Sequence, residues 1–93
     1  MDTKIAFGIT LKGFRKSNGI THRDFGTSRT YIGSIEKGHV SPTLEKIDDI
    51  AKVVGVHPIS LIVQTYLNMD VNHSFEYLIS IVKEDLAKYH SDL

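Results

Sequence analysis

Apolar residues recur along this chain at intervals of three and four, and no stretch alternates with period two over a useful length. That pattern predicts helices throughout. Ile5, Phe7, Ile9, Leu11 and Phe14 stripe a first helix over residues 3–17, with Gly8 and Gly13 lowering its propensity, and Ser17-Asn18-Gly19 ends it. Thr21, followed three residues later by Asp24, is a capping-box-like start to a second, very short helix anchored by Phe25 and broken by Gly26. Ser28, or Thr27, can cap a third helix, in which Ile32 and Ile35 share one face and Gly38 supplies a left-handed stop.

Further along, Ser41 and Pro42 read as cap and first residue of a fourth helix, in which Leu44, Ile47, Ile50, Ala51 and Val54 keep the 3-4 spacing up to Gly55. His57-Pro58 repeats the cap-and-proline start, and Ile59, Leu61, Ile62 and Tyr66 continue a fifth helix. A turn over residues 70–73 precedes a last helix from about Ser74 to Tyr89. Phe75, Leu78, Ile79, Val82, Leu86 and Tyr89 stripe that helix opposite Lys83, Glu84, Asp85 and Lys88. The expected class is all-α.

The third predicted helix differs from the rest in having two unlike faces. Behind stand Ile32 and Ile35; in front stand Ser28, Arg29, Thr30, Gly33 and Ser34, small or hydrogen-bonding groups with one five-donor guanidinium among them. A helix that enters the DNA major groove needs such a slim, polar front anchored from behind.

Composition narrows the classes. At 93 residues the chain has room for one domain and a modest core. It has no cysteine, hence neither a disulfide framework nor a thiolate metal site, and no apolar run approaches the roughly 18 residues of a membrane span. Met1-Asp2-Thr3-Lys4 is not followed by the long apolar run of a signal peptide, so a cytoplasmic location is expected. The net charge is zero, but residues 1–42 carry seven Lys and Arg against three acids, and residues 43–93 carry four Lys against eight acids. The asymmetry fits a DNA-facing N-terminal half, and fits equally a scatter of solvated charges.

None of the five histidines (His22, His39, His57, His73, His90) lies three or four residues from another, so no metal site is expected. Asp48-Asp49 reads as a solvated face, and neither a phosphate-cradling glycine loop nor a nucleophile elbow occurs. No enzymatic activity and no cofactor are expected.

Phe14-Arg15-Lys16-Ser17-Asn18-Gly19-Ile20-Thr21, Ser28-Arg29-Thr30-Tyr31-Ile32, Ile35-Glu36-Lys37-Gly38, Ser41-Pro42-Thr43-Leu44-Glu45-Lys46-Ile47, Ile50-Ala51 and Val54-Gly55-Val56 occur in an order that resembles the lambda-repressor-like (Xre-type) helix-turn-helix domain, over about residues 5–64. The resemblance implies a five-helix DNA-binding domain over residues 1–68 of a transcriptional regulator, with residues 69–93 as an added amphipathic helix. It implies base reading by Ser28, Arg29, Thr30, Gly33 and Ser34. It implies phosphate contacts by His22, Lys37 and His39; Thr21, Arg23, Thr27 and Tyr31, close by in the chain, are further phosphate candidates. An ion pair between Arg15 and Glu36 is also implied, tying the first helix to the back of the recognition helix.

One departure is a deletion of about four residues around the second helix. The alanine that usually permits the tight helix crossing has no clear counterpart; Gly26 can serve by lacking a side chain, or the deletion lies upstream and His22 takes the small-residue position.

The last helix has two possible fates. Its stripe (Phe75, Leu78, Ile79, Val82, Leu86, Tyr89) can close the monomer core, or can pair with a second copy and set two recognition helices about one DNA turn apart, roughly 34 Å. The expected partners are therefore double-stranded DNA, a palindromic operator bound and repressed by a homodimer. In the alternative reading, an antitoxin or anti-regulator of the same fold acts through protein contacts of its acidic C-terminal half.

Overall fold

Asp2 starts the first helix, its carboxylate accepting from the backbone N–H of Ile5 at 3.0 Å. The computed structural model describes residues 1–91 and forms α1 (Thr3–Ser17), a 3-10 segment (His22–Ser28), α2 (Arg29–Glu36), α3 (Leu44–Val54), α4 (Pro58–Met69) and α5 (Phe75–Ser91). The class is all-α, as the periodicity predicts, among the described residues.

One core joins α1 to α4. Phe7 and Leu11 of α1, Ile32 and Ile35 of α2, Ile47, Ile50, Ala51 and Val54 of α3, and Leu61 of α4 form a single buried cluster, with Phe14, Phe25, Tyr31 and Val56 packed on its edge. Each buried leucine or isoleucine contributes about 1.5–3 kcal/mol. The first stripe is narrower than its apolar content predicts: Ile5 and Ile9 are exposed, because the buried face runs through Phe7, Leu11 and Phe14 at 4-3 spacing.

Polar groups that enter the core are all bonded. Thr10 donates to the Ala6 carbonyl at 2.8 Å and accepts from Asn68 Nδ2 at 2.9 Å, while Gln64 donates to Asn68 Oδ1. This chain of bonds ties α1 to α4. Asn18, the C-cap of α1, donates through Nδ2 to the Val54 carbonyl at 2.9 Å and so closes the end of α3 as well.

The predicted second helix is a 3-10 segment. Its start is as expected: Asp24 accepts from the Thr21 N–H at 2.7 Å and completes the capping box. Gly26, at φ 60° and ψ −126°, then interrupts it after too few residues to propagate i→i+4 bonds. Gly26 has open space around the position of a Cβ, so its role is this backbone conformation and not a close helix crossing.

Two expected caps also differ. Ser28 precedes α2, but in helical backbone and with no side-chain cap bond. Thr43, not Ser41, caps α3: its extended backbone brings the hydroxyl to the Lys46 N–H at 3.2 Å, leaving Pro42 ahead of the helix. His57 does cap α4, its Nδ1 accepting from the Ile59 N–H at 3.0 Å. The axes of α3 and α4 diverge by 103° across this junction.

The last helix does not close the core. No residue of α5 is buried; Leu78 and Ile79 are half-covered, and Phe75, Val82, Leu86 and Tyr89 are 52, 40, 50 and 62 % exposed. Phe75 and Ile79 meet Phe14, Ile59, Val63 and Leu67 across an open apolar cleft between α5 and the body of the domain.

Candidate nucleic-acid interface

Short as it is, α2 is anchored strongly from behind. Ile32 and Ile35 are 1 and 0 % exposed, so the helix cannot rotate without uncovering both. Arg15 of α1 holds its C-terminal end. The guanidinium donates through Nε to Glu36 Oε2 at 2.6 Å and through the second amino nitrogen to Oε1 at 2.9 Å, and its remaining amino group donates to the Ile20 carbonyl at 3.1 Å. The pair expected from the resemblance therefore forms. Its side chains are only 11 and 7 % exposed.

His22 is the third member of this cluster, with Nε2 lying 3.1 Å from Glu36 Oε1. Burial disfavours the Glu36 carboxylate, but hydrogen bonds from Arg15 and His22 and the charge of Arg15 outweigh it and hold the group below its usual pKa. Glu36 is thus an anion whose charge is answered from both α1 and the 3-10 segment.

Anchoring in this way leaves one face of α2 open. Arg29, Thr30, Gly33, Ser34 and Lys37 follow one another along that face at helical spacing, and His22 joins them from the 3-10 segment to line a single groove. Arg29, Thr30 and Lys37 are exposed and Gly33 and Ser34 half-exposed; no Asp or Glu lines the groove. Two cations and a row of short side chains can give donors to phosphate oxygens and base edges.

The other candidates fall elsewhere. Ser28 is half-buried in a separate cleft with Phe25, Lys46 and Asp49 between the 3-10 segment and α3. Tyr31 packs on the core edge, with Lys46 Nζ 5.3 Å from its ring centroid. Thr21 bonds Asp24 through both its N–H and its hydroxyl. Arg23, Thr27 and His39 are exposed, and the His39 N–H donates to the Ser34 carbonyl at 3.0 Å in the loop after α2. Sequence reasoning missed Lys46, because the approach of α3 to Tyr31 depends on the turn between the helices. It also missed the bond from His22 to Glu36, 14 residues apart.

A four-helix body with a short, rigidly backed helix presenting basic and small polar groups defines a DNA-binding helix-turn-helix domain. The chain belongs to the helix-turn-helix family of transcriptional regulators, whose model matches residues 11–61. It is similar to an uncharacterized HTH-type transcriptional regulator, y4dJ, of Sinorhizobium fredii, at 28 % identity over 69 residues that cover 70 % of this chain and 90 % of the relative. No solved structure matches significantly. The matched span runs from Leu11 in α1 to Leu61 in α4 and contains the whole groove.

Proposed function

We propose that this protein is a repressor that binds a palindromic operator as a homodimer, laying α2 in the major groove of each half-site. The groove of His22, Arg29, Thr30, Gly33, Ser34 and Lys37 carries this reading. Arg29 stands on the open face of α2, where a guanidinium can donate to both guanine O6 and N7, and Thr30 and Ser34 can reach neighbouring base edges. Lys37 at the far end of the helix, and His39 beyond it, are suited to phosphate. Thr21, Arg23 and Thr27 flank the other end.

Dimerisation through α5 is supported by the apolar stripe that the monomer leaves uncovered. A two-fold pairing of that stripe buries the same residues of both copies at once and gives the two recognition helices a fixed spacing. The same stripe supports the second reading, in which a different protein covers it and DNA binding is secondary. Selection of bound sequences from a random DNA pool tests the first reading. A palindromic consensus supports it, and an enriched pool without sequence preference rejects it.

A further inference from the structure

We infer that His22 couples DNA binding to proton uptake: the ring becomes an imidazolium when it takes a backbone phosphate, because its neutral form has already committed its one proton to Glu36. This rests on α2 being the DNA-reading helix. Glu36 is held as a carboxylate by the bidentate Arg15, and a carboxylate only accepts. The ring atom 3.1 Å from it, Nε2, must therefore be a donor. In the neutral ring that proton is the single one, and Nδ1 is left with a lone pair. A phosphate oxygen is also an acceptor only, so the neutral ring has nothing to offer it without releasing Glu36. The imidazolium donates from both nitrogens and can hold both anions at once.

The surroundings set the direction of the coupling. From α1, Arg15 faces the cluster but is neutralised by its own pairing with Glu36. From α2, Glu36 presents the carboxylate that Nε2 faces, and Arg29 and Lys37 share the groove with His22. Arg23 and Asp24 adjoin His22 on its own segment, with Asp24 engaged by Thr21. From α3, Lys46 and Asp49 line the cleft with Phe25 and Ser28. A phosphate arriving in the groove offsets Arg29 and Lys37 and adds an anion beside a ring that is 44 % exposed and so can exchange protons freely.

The experiment is a titration of the full chain with a fluorescent mixed-sequence DNA duplex at fixed salt, from about pH 5.5 to 8, across the ordinary range of histidine. The affinity is expected to fall by up to about tenfold per pH unit for each bound protomer on the alkaline side. Calorimetry in buffers of different ionisation enthalpy should show about one proton taken up per bound protomer near neutral pH. His22→Gln, which donates from its amide without titrating, should bind the duplex with this pH dependence and proton uptake removed, and His90→Gln, on α5 and outside the groove, should keep both. Binding by the native chain without proton uptake overturns the inference and leaves the DNA reading standing, as does an unchanged pH slope in His22→Gln. Failure to bind duplex at every pH overturns the DNA reading itself.

Discussion

Gly8 of α1 lies against the backbone of Glu36, where a Cβ would come within 2.9 Å of that residue's carbonyl oxygen and closer still to that of Ile35. Glycine at this point lets α1 cross the C-terminal end of α2 in direct backbone contact. The same two elements are joined two turns further along α1 by Arg15 and Glu36. Between them, the close crossing and the ion pair fix how α2 stands on the domain.

Two glycines of one helix should therefore respond oppositely to alanine. Gly8→Ala forces α1 away from backbone that cannot yield, and we expect a loss of about 1–3 kcal/mol in urea unfolding. Gly13 has open space around it, so Gly13→Ala should gain about 0.5–1 kcal/mol from helix propensity alone. Equal effects at the two positions would contradict the crossing.

The Arg15–Glu36 pair predicts an acid-labile fold. Glu36 has a pKa below its usual 4.5, so its contribution is fully present above that value and lost as the pH falls through the depressed one. Unfolding free energy should decline below about pH 4.5, with a smaller decline in Glu36→Gln. At neutral pH that variant strands a nearly buried guanidinium and should cost about 3 kcal/mol.

On a selected operator, Arg29→Ala should lose about 1–3 kcal/mol of discrimination at one base pair, measured by competition between operator and point-substituted duplexes. Lys37→Ala should instead weaken all duplexes alike and reduce the slope of log K against log salt by about one. If Arg29→Ala leaves sequence preference intact, the base-reading role belongs elsewhere on α2.

The uncovered stripe of α5 predicts a separable assembly defect. Leu86→Asp places a charge on a side chain that is 50 % exposed in the monomer, so the helical content should be kept. Light scattering should show a dimer for the native chain and a monomer for the variant, with half-site affinity retained and operator affinity reduced. A native chain that is monomeric at high concentration argues for a different protein on this face.

Periodicity alone located every α-helix to within two or three residues, because each apolar stripe repeats at the helical spacing and each break carries a glycine or a cap. It also picked out the open face of α2 apart from Ser28, which packs into the cleft beside Phe25, since small and basic residues without an apolar neighbour have little reason to be buried. The Arg15–Glu36 pair was legible through the resemblance, because the order of motifs implies which helix backs which.

What tertiary structure decided are the relationships that local spacing does not encode. Gly8 reads along the chain as a weak point of α1 and proves to be its crossing point, because the clash it avoids is with residues nearly 30 positions away. Gly26 reads along the chain as the break of a short helix, and only its observed backbone, at φ 60° and ψ −126°, leaves a 3-10 segment in that helix's place. His22, set against Glu36 from that segment, acquires a partner and with it a definite proton. The stripe of α5 has the same amphipathic pattern as a core helix, and only the finished packing of α1 to α4, complete without it, leaves that stripe open.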